Sequence, residues 1–349
     1  MTTRSRTLRL AAGALALVTA AWAAPTATAA DSYPRGERIN PAALETGAPT
    51  HLLRVEGRTI VDGDLRIEVG APRVTMLGRH ADDYLILATD AEYRRWRVVR
   101  VADDGTTNRV LGGPGYPPDL LLADGGAHVV VNRYVRGRAR LGVFATSTGD
   151  LVRQRTFRGT VTPLDFGVRR MVLSEWGSKP RQQRTFWWNP FRNAAAPIAD
   201  KPGYIADITA DRLGLSLGDP YQDGCQEVVR LSAPRTRLWH SCRDSAQSFS
   251  PNGKRMVTAH ILTDGPGPYV VQVRGARGRV LDTYRSKWFG LMEWESDRHL
   301  VLQTAGPRNV AIVRCTLVGC ERVTRLWSTE KRDPWMAMPA WSFAKDPRS

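Results

Sequence analysis

The sequence predicts an all-β protein, a β-propeller of four-stranded antiparallel blades. Three observations predict it. Short aliphatic runs recur along the 349 residues as LIL (85–87), VVV (129–131), MVL (171–173), LGL (213–215), MVT (256–258) and LVL (300–302), 42–44 residues apart. The text between them is rich in Val, Thr, Arg and aromatics and is broken by turn pairs such as DG, NP, NG and GP, which suits short strands rather than helices. Each interval divides into four strand-sized pieces, and four strands in about 40–45 residues is the arithmetic of a propeller blade. A β-helix needs shorter repeats, and a sandwich gives no reason for six matched units.

The blades follow in order. Blade one centres on LIL, with Asp82-Asp83 and Asp103-Asp104 expected in its A–B and C–D turns, where turn chemistry explains them. Blade two is the clearest: DLLLA (119–123), HVVVNRY (128–134), RLGVFAT (140–146) and LVRQRTF (151–157) are strands A to D, separated by ADGG, RGR and STGD. In blade three Trp187 and Trp188 share a strand and therefore point to opposite faces, one of them into the core. Blade four holds ITADRLGL and a C–D hairpin turning at SAPR (232–235). Blade five repeats the plan as QSFS, PNGK, RMVTAH, a Gly/Pro loop, YVVQVR, GARG and RVLDTYR. Blade six holds WESDRHLVL and a hairpin around TLVG. The termini supply the rest. MPAWSFAKD (338–346) reads as a strand A, and HLLRVEGRTIVDGDLRIEVG (51–70) as the outer strands of the same blade. A blade closed between the two ends removes the open sheet edges of a ring, so seven blades are expected, with six the alternative.

The stretch SFSPNGKRMVTAH (248–260) resembles the TolB-type propeller repeat, in which strand A ends in an aromatic and Ser-Pro-Asp-Gly-Lys turns into strand B. Asn252 stands where Asp is usual, and both tolerate the turn backbone. LADGGAHVVV keeps the small-residue turn, while ITADRLGL and WESDRHLVL keep only its acidic residue. The resemblance covers residues 72–330 as architecture. It implies a secreted propeller with a binding or scaffolding role, and it carries no catalytic residue across. A WD-repeat reading is poorer, since no blade ends in the Trp-Asp pair.

Residues 1–29 read as a secretory signal. Arg4, Arg6 and Arg9 precede the apolar run at 10–24, which is too short to span a bilayer, and Ala27-Thr28-Ala29 fits small-x-small cleavage. Residues 30–50 are expected as a linker and 51–346 as one propeller domain. After cleavage no segment is apolar enough to span a membrane, so a secreted or extracytoplasmic monomer is expected. Four cysteines then fall in the exported chain. Cys225 and Cys242 bracket the C–D hairpin of blade four, and Cys315 and Cys320 that of blade six, so each pair is expected as a disulfide.

No cofactor or metal is expected. His51, His80, His128, His240, His260 and His299 show no HExxH or i, i+4 pairing. Phe249, Trp294 and Trp341 sit near the ends of inner strands, where large rings pack between wedge-shaped blades rather than forming a sugar platform. The carboxylates Asp82, Asp83, Asp103, Asp104, Asp219, Asp223, Glu293 and Glu295 keep a second reading open, a propeller enzyme (hydrolase or lyase) acting on glycans at the channel mouth.

The formal charge is +16, from 50 basic and 34 acidic residues, and only six of the basic residues are Lys. The charge is unevenly placed. The B–C loops of blades one to three, which share one face of the ring with the D–A connections, carry Arg94, Arg95, Arg136, Arg138, Lys179, Arg181 and Arg184, whereas blade four carries Asp219 and Asp223 there. These seven residues are the candidate binding site. They point to a binding or scaffold module for an anionic envelope polymer or a protein partner. Nucleic acid would suit the charge, but the export signal argues against it.

Overall fold

The computed structural model describes residues 36–177, 182–222, 224–263, 265, 267–329 and 341–343. The expected signal segment lies outside the described residues. The aliphatic runs form the second strand of each blade, and that strand is buried on both faces. Tyr84–Ile86, Val129–Val131, Met171–Glu175 and Leu300–Leu302 are consecutive buried residues, not alternating ones. A strand wedged between two neighbouring blades has no solvent side, so it reads as a short continuous apolar run. Each such Val, Leu or Ile contributes about 1.5–3 kcal/mol on burial. The outermost strands have water on one side and read accordingly. Leu151–Arg158 and Ala194–Ala199 are mostly exposed, and Thr107–Pro114 has no buried residue.

Seven sheets result. Six are consecutive antiparallel blades: Arg73–Pro114, Asp119–Arg158, Thr160–Ala199, Gly203–Ser241, Asp244–Arg285 and Trp288–Arg322. The seventh is composite. Trp341–Phe343 pairs antiparallel with Arg54–Glu56, followed outward by Thr59–Asp62 and Leu65–Glu68. This is the closure expected from the two ends of the sequence. Among the described residues, seven clusters of buried side chains hold the ring together, each between two adjacent blades. Val130, Leu141, Phe166 and Trp188 join blades two and three, and Ile60, Ile67, Tyr84 and Ile86 join blades seven and one.

The inner strands of blades one, three, four, five and six each contain a register shift. Such bulges bend and twist a strand, which suits the crowded inner wall of a ring. The A–B turn of blade five is the one that carries the family-like motif. Ser250 Oγ accepts from the amide of Arg255, Asn252 Oδ1 accepts from the amide of Lys254, and Gly253 adopts φ 63°. A Cβ at Gly253 would collide with the Ala210 carbonyl oxygen in the A–B turn of blade four, so packing between blades also demands glycine.

The segment expected as a linker lies along the ring from residue 36. Glu37–Arg38 adds a parallel strand to Tyr284–Arg285 at the edge of blade five, and Ile39 is buried between blades five and six. Thr46 bridges to Arg322 on the outer strand of blade six. Cys225–Cys242 and Cys315–Cys320 are disulfides, with Cα atoms 3.9 and 4.1 Å apart, each closing a C–D hairpin as its spacing predicts. Two disulfides fit an oxidising, extracytoplasmic compartment. No helix among the described residues is long and apolar enough to cross a membrane.

Candidate binding face

In each blade the chain runs outward from strand A to strand D, so the B–C loops and D–A connections meet on one face of the ring. That face gathers exposed aromatic side chains. Tyr93, Tyr134, Trp176, Tyr221 and Tyr269 lie in or at the edge of the B–C loops of blades one to five, and Tyr116 lies in the connection from blade one to blade two. Tyr116 is 80% exposed and Tyr221 77%. Among the described residues the other exposed aromatic of this kind is Phe191, in a C–D turn on the opposite face. Rings of this size usually bury most of their surface, so six that keep a third or more of it exposed set this side of the ring apart from the other.

Local turn chemistry fixes the blade-one part of this face. Asp90 Oδ1 accepts the amide of Arg94 at 2.6 Å, closing the loop, and Tyr93 at its tip adopts φ 57°. Arg73 Nη1 donates to the Tyr93 hydroxyl at 3.1 Å, and its guanidinium lies 4.5 Å from the ring centroid. Tyr93 in turn stacks on Tyr116, with centroids 6.1 Å apart and planes 13° from parallel. The result is a cation and two rings in series, spanning two connections.

Beside them is a pocket of about 580 Å³ lined by Thr89, Asp90, Arg95, Trp96, Arg97 and Arg109, among others. Three guanidinium groups face one carboxylate in that lining. Thr89 is 6% exposed, and its buried hydroxyl has no hydrogen-bond partner among the described residues. The lining is therefore cationic and holds one unmet polar group.

The sequence-derived arginines divide into two kinds. Arg94 pairs with Glu92 at 3.0 Å, and Arg184 Nε donates to Glu175 at 2.6 Å. Arg95, Arg136 and Arg138 are exposed and in no ion pair among the described residues, and Arg136 sits at a turn tip with φ 50°. Arg95, Arg138 and Arg184 are the first residues of their C strands rather than loop residues. Lys179 and Arg181 lie outside the described residues, as does Asp223. Asp219 is used locally, accepting the amide of Tyr221 at 3.0 Å. Sequence reading missed the exposed tyrosines. Their signal was one aromatic in each B–C loop of blades one to five.

The carboxylates are dispersed. Asp83 pairs with Arg100, and Asp104 accepts the amide of Thr106. Glu295 binds Thr50, His51 and Arg314. Glu293 and Asp165 both line a central cavity of about 280 Å³ with Arg79. Asp165 also accepts the amides of Phe166 and Ile208, at 3.0 and 2.6 Å, which ties blade three to blade four. Cys225, His240 and Cys242 place their ligand atoms within 4.8 Å of one another, but the two sulfurs are joined as a disulfide and offer no thiolate.

No family model matches the sequence, and no curated protein matches it. The fold resembles that of many solved structures. The β-propeller domain of the Trilobed protease from Pyrococcus furiosus aligns over 80% of this chain and 97% of its own, at 9% identity and TM-score 0.54. An oligogalacturonate lyase in complex with manganese aligns over 74% of this chain and 82% of its own, at 12% identity and TM-score 0.53. TolB from Acinetobacter baumannii is more distant in structure, covering 78% of this chain and 66% of its own at 12% identity and TM-score 0.45. At these identities the likeness is one of fold.

Proposed function

We propose that this chain is an exported binding module whose B–C and D–A loop face holds an acidic polysaccharide. The observation that carries the reading is the gathering of six exposed aromatic side chains with Arg95, Arg136 and Arg138 on a single face. A flat ring offers apolar area to the C–H face of a sugar at low entropic cost. A guanidinium fork presents two parallel N–H donors to the two oxygens of a carboxylate. Neighbouring blades set these groups side by side, as an extended polymer needs. The secretory signal read at residues 1–29 and the two disulfides support an extracytoplasmic setting for such an encounter.

A second reading, an enzyme acting on glycans, draws on Glu293 and Asp165 at the central cavity. One experiment addresses both. The full chain is passed over immobilised polygalacturonate and over a neutral glucan at low and moderate salt, beside the variant Arg95→Ser/Arg136→Ser/Arg138→Ser. Binding through the face predicts retention on the acidic polymer alone, release by salt through screening, and loss in the variant. Retention that ignores both salt and the substitutions would refute the reading. Shortening of the polymer during passage would favour the enzyme.

A further inference from the structure

A groove of about 760 Å³, lined by none of the loop-face aromatic or arginine residues described above, lies between the outer edge of blade six and blade seven. Four guanidinium groups line it, those of Arg54, Arg66, Arg322 and Arg325, with Glu56 as the one lining carboxylate. Glu56 is already committed. It accepts from Arg54 Nε at 2.9 Å, and Arg66 approaches its other oxygen at 3.7 Å. Arg54 is 2% exposed and also donates to the carbonyls of Thr50 and Leu52, so its place in the wall is fixed.

Arg322 is held as firmly. Its amide donates to the Glu45 carbonyl at 2.8 Å, and its own carbonyl accepts from the Gly47 amide at 2.9 Å. Its Nη2 donates to the Thr46 hydroxyl. Its Nε is buried and has no partner among the described residues. A covered Nε without an acceptor leaves the charge of this guanidinium poorly compensated, and an anion meeting its outer N–H groups in the groove would offset it. Arg325 lies over the ring of Trp327, 5.5 Å from its centroid, which keeps its charge at the same groove.

We infer that this groove is an oxyanion site that takes a phosphoryl group. A carboxylate carries one charge and two oxygens. A phosphoryl group carries about two charges and three acceptor oxygens, which suits a groove lined by four guanidinium groups and a single carboxylate. The volume leaves room for the group to belong to a larger molecule. The site is assembled by the N-terminal segment, because Thr46 and Gly47 both fix Arg322. It shares no residue with the aromatic and arginine groups of the loop face and is independent of what they bind.

The test is calorimetric titration of the full chain with inorganic pyrophosphate, against chloride at matched ionic strength. Three variants are compared: Arg322→Lys, which keeps the charge but removes Nε, Arg66→Ser/Arg325→Ser, which changes two surface side chains, and the loop-face triple serine variant. The groove predicts saturable binding by the unmodified chain and by the loop-face variant. It predicts affinity at least about tenfold weaker in Arg66→Ser/Arg325→Ser and weaker in Arg322→Lys, with circular dichroism unchanged. Should Arg322→Lys fail to fold, the double variant alone decides. Equal affinity in the unmodified chain and the double variant, or pyrophosphate heats no larger than chloride heats, would overturn the inference. Loss of binding only in the loop-face variant would likewise move the anion site elsewhere.

Discussion

Thr50 donates its hydroxyl to Glu295 at 2.7 Å, across 245 positions of sequence. The same carboxylate oxygen accepts the amide of His51 at 2.6 Å, and the other oxygen meets Arg314 at 3.1 Å. Thr50 leads directly into the strand that closes blade seven, so this contact fastens the closing blade to blade six. Burial alone would push the Glu295 carboxyl upward. The hydrogen bonds from Thr50 and His51, together with Arg314, outweigh that and hold it below its ordinary value near 4.5. The stabilisation is therefore fully present above that pH and is lost as the pH falls through the depressed value. Glu295→Gln is expected to cost about 1–3 kcal/mol at neutral pH and to flatten the acid limb of the stability curve. Denaturant unfolding from neutral to acidic pH measures both. Parallel acid limbs in the two proteins would remove Glu295 from the account.

The disulfides differ in the loop they close. Cys225–Cys242 spans 17 residues and Cys315–Cys320 spans 5. The chain-entropy argument gives about 3 kcal/mol for the first and about 2 for the second. Replacing each pair by Ala should lower stability in that order. Unreduced peptide mapping should recover these two links, and a link between Cys242 and Cys315 would contradict the hairpin registers.

Trp187 and Trp188 are neighbours with opposite fates. Trp188 is fully buried between blades two and three, edge-on to Phe157 at 5.7 Å. Trp187 is half-buried beneath the guanidinium of Arg170, 3.8 Å from its centroid. Trp188→Ala should cost about 3–5 kcal/mol, and Trp187→Ala distinctly less. Comparable losses in denaturant unfolding would mean that the strand faces are reversed.

The propeller was legible because a strand packed on both faces writes an unbroken aliphatic run, and six such runs at one spacing admit few architectures. The two disulfides were legible because Cys315 and Cys320 bracket a single hairpin. Closure was legible in the strand-like text at both ends. Of the loop face only the charges were legible. A tyrosine in a loop reads the same whether it folds back onto a blade or stands in water, and only packing separates Tyr116 from a core ring such as Tyr84. The groove was not legible at all, since it rests on contacts such as Thr46 to Arg322, 276 positions apart.

If the loop face is the contact surface, removing its exposed rings must weaken retention of an acidic polymer. Two variants of the full chain test it on immobilised polygalacturonate at low salt. One is Tyr116→Ser/Tyr134→Ser/Tyr221→Ser on the loop face, and the other is Phe191→Ser on the opposite face. None of these four rings belongs to the buried core, so both variants should melt within about 1 kcal/mol of the unmodified chain. Retention is expected to fall in the loop-face variant alone. Retention untouched by the three tyrosine substitutions, or lost equally through Phe191→Ser, would contradict it.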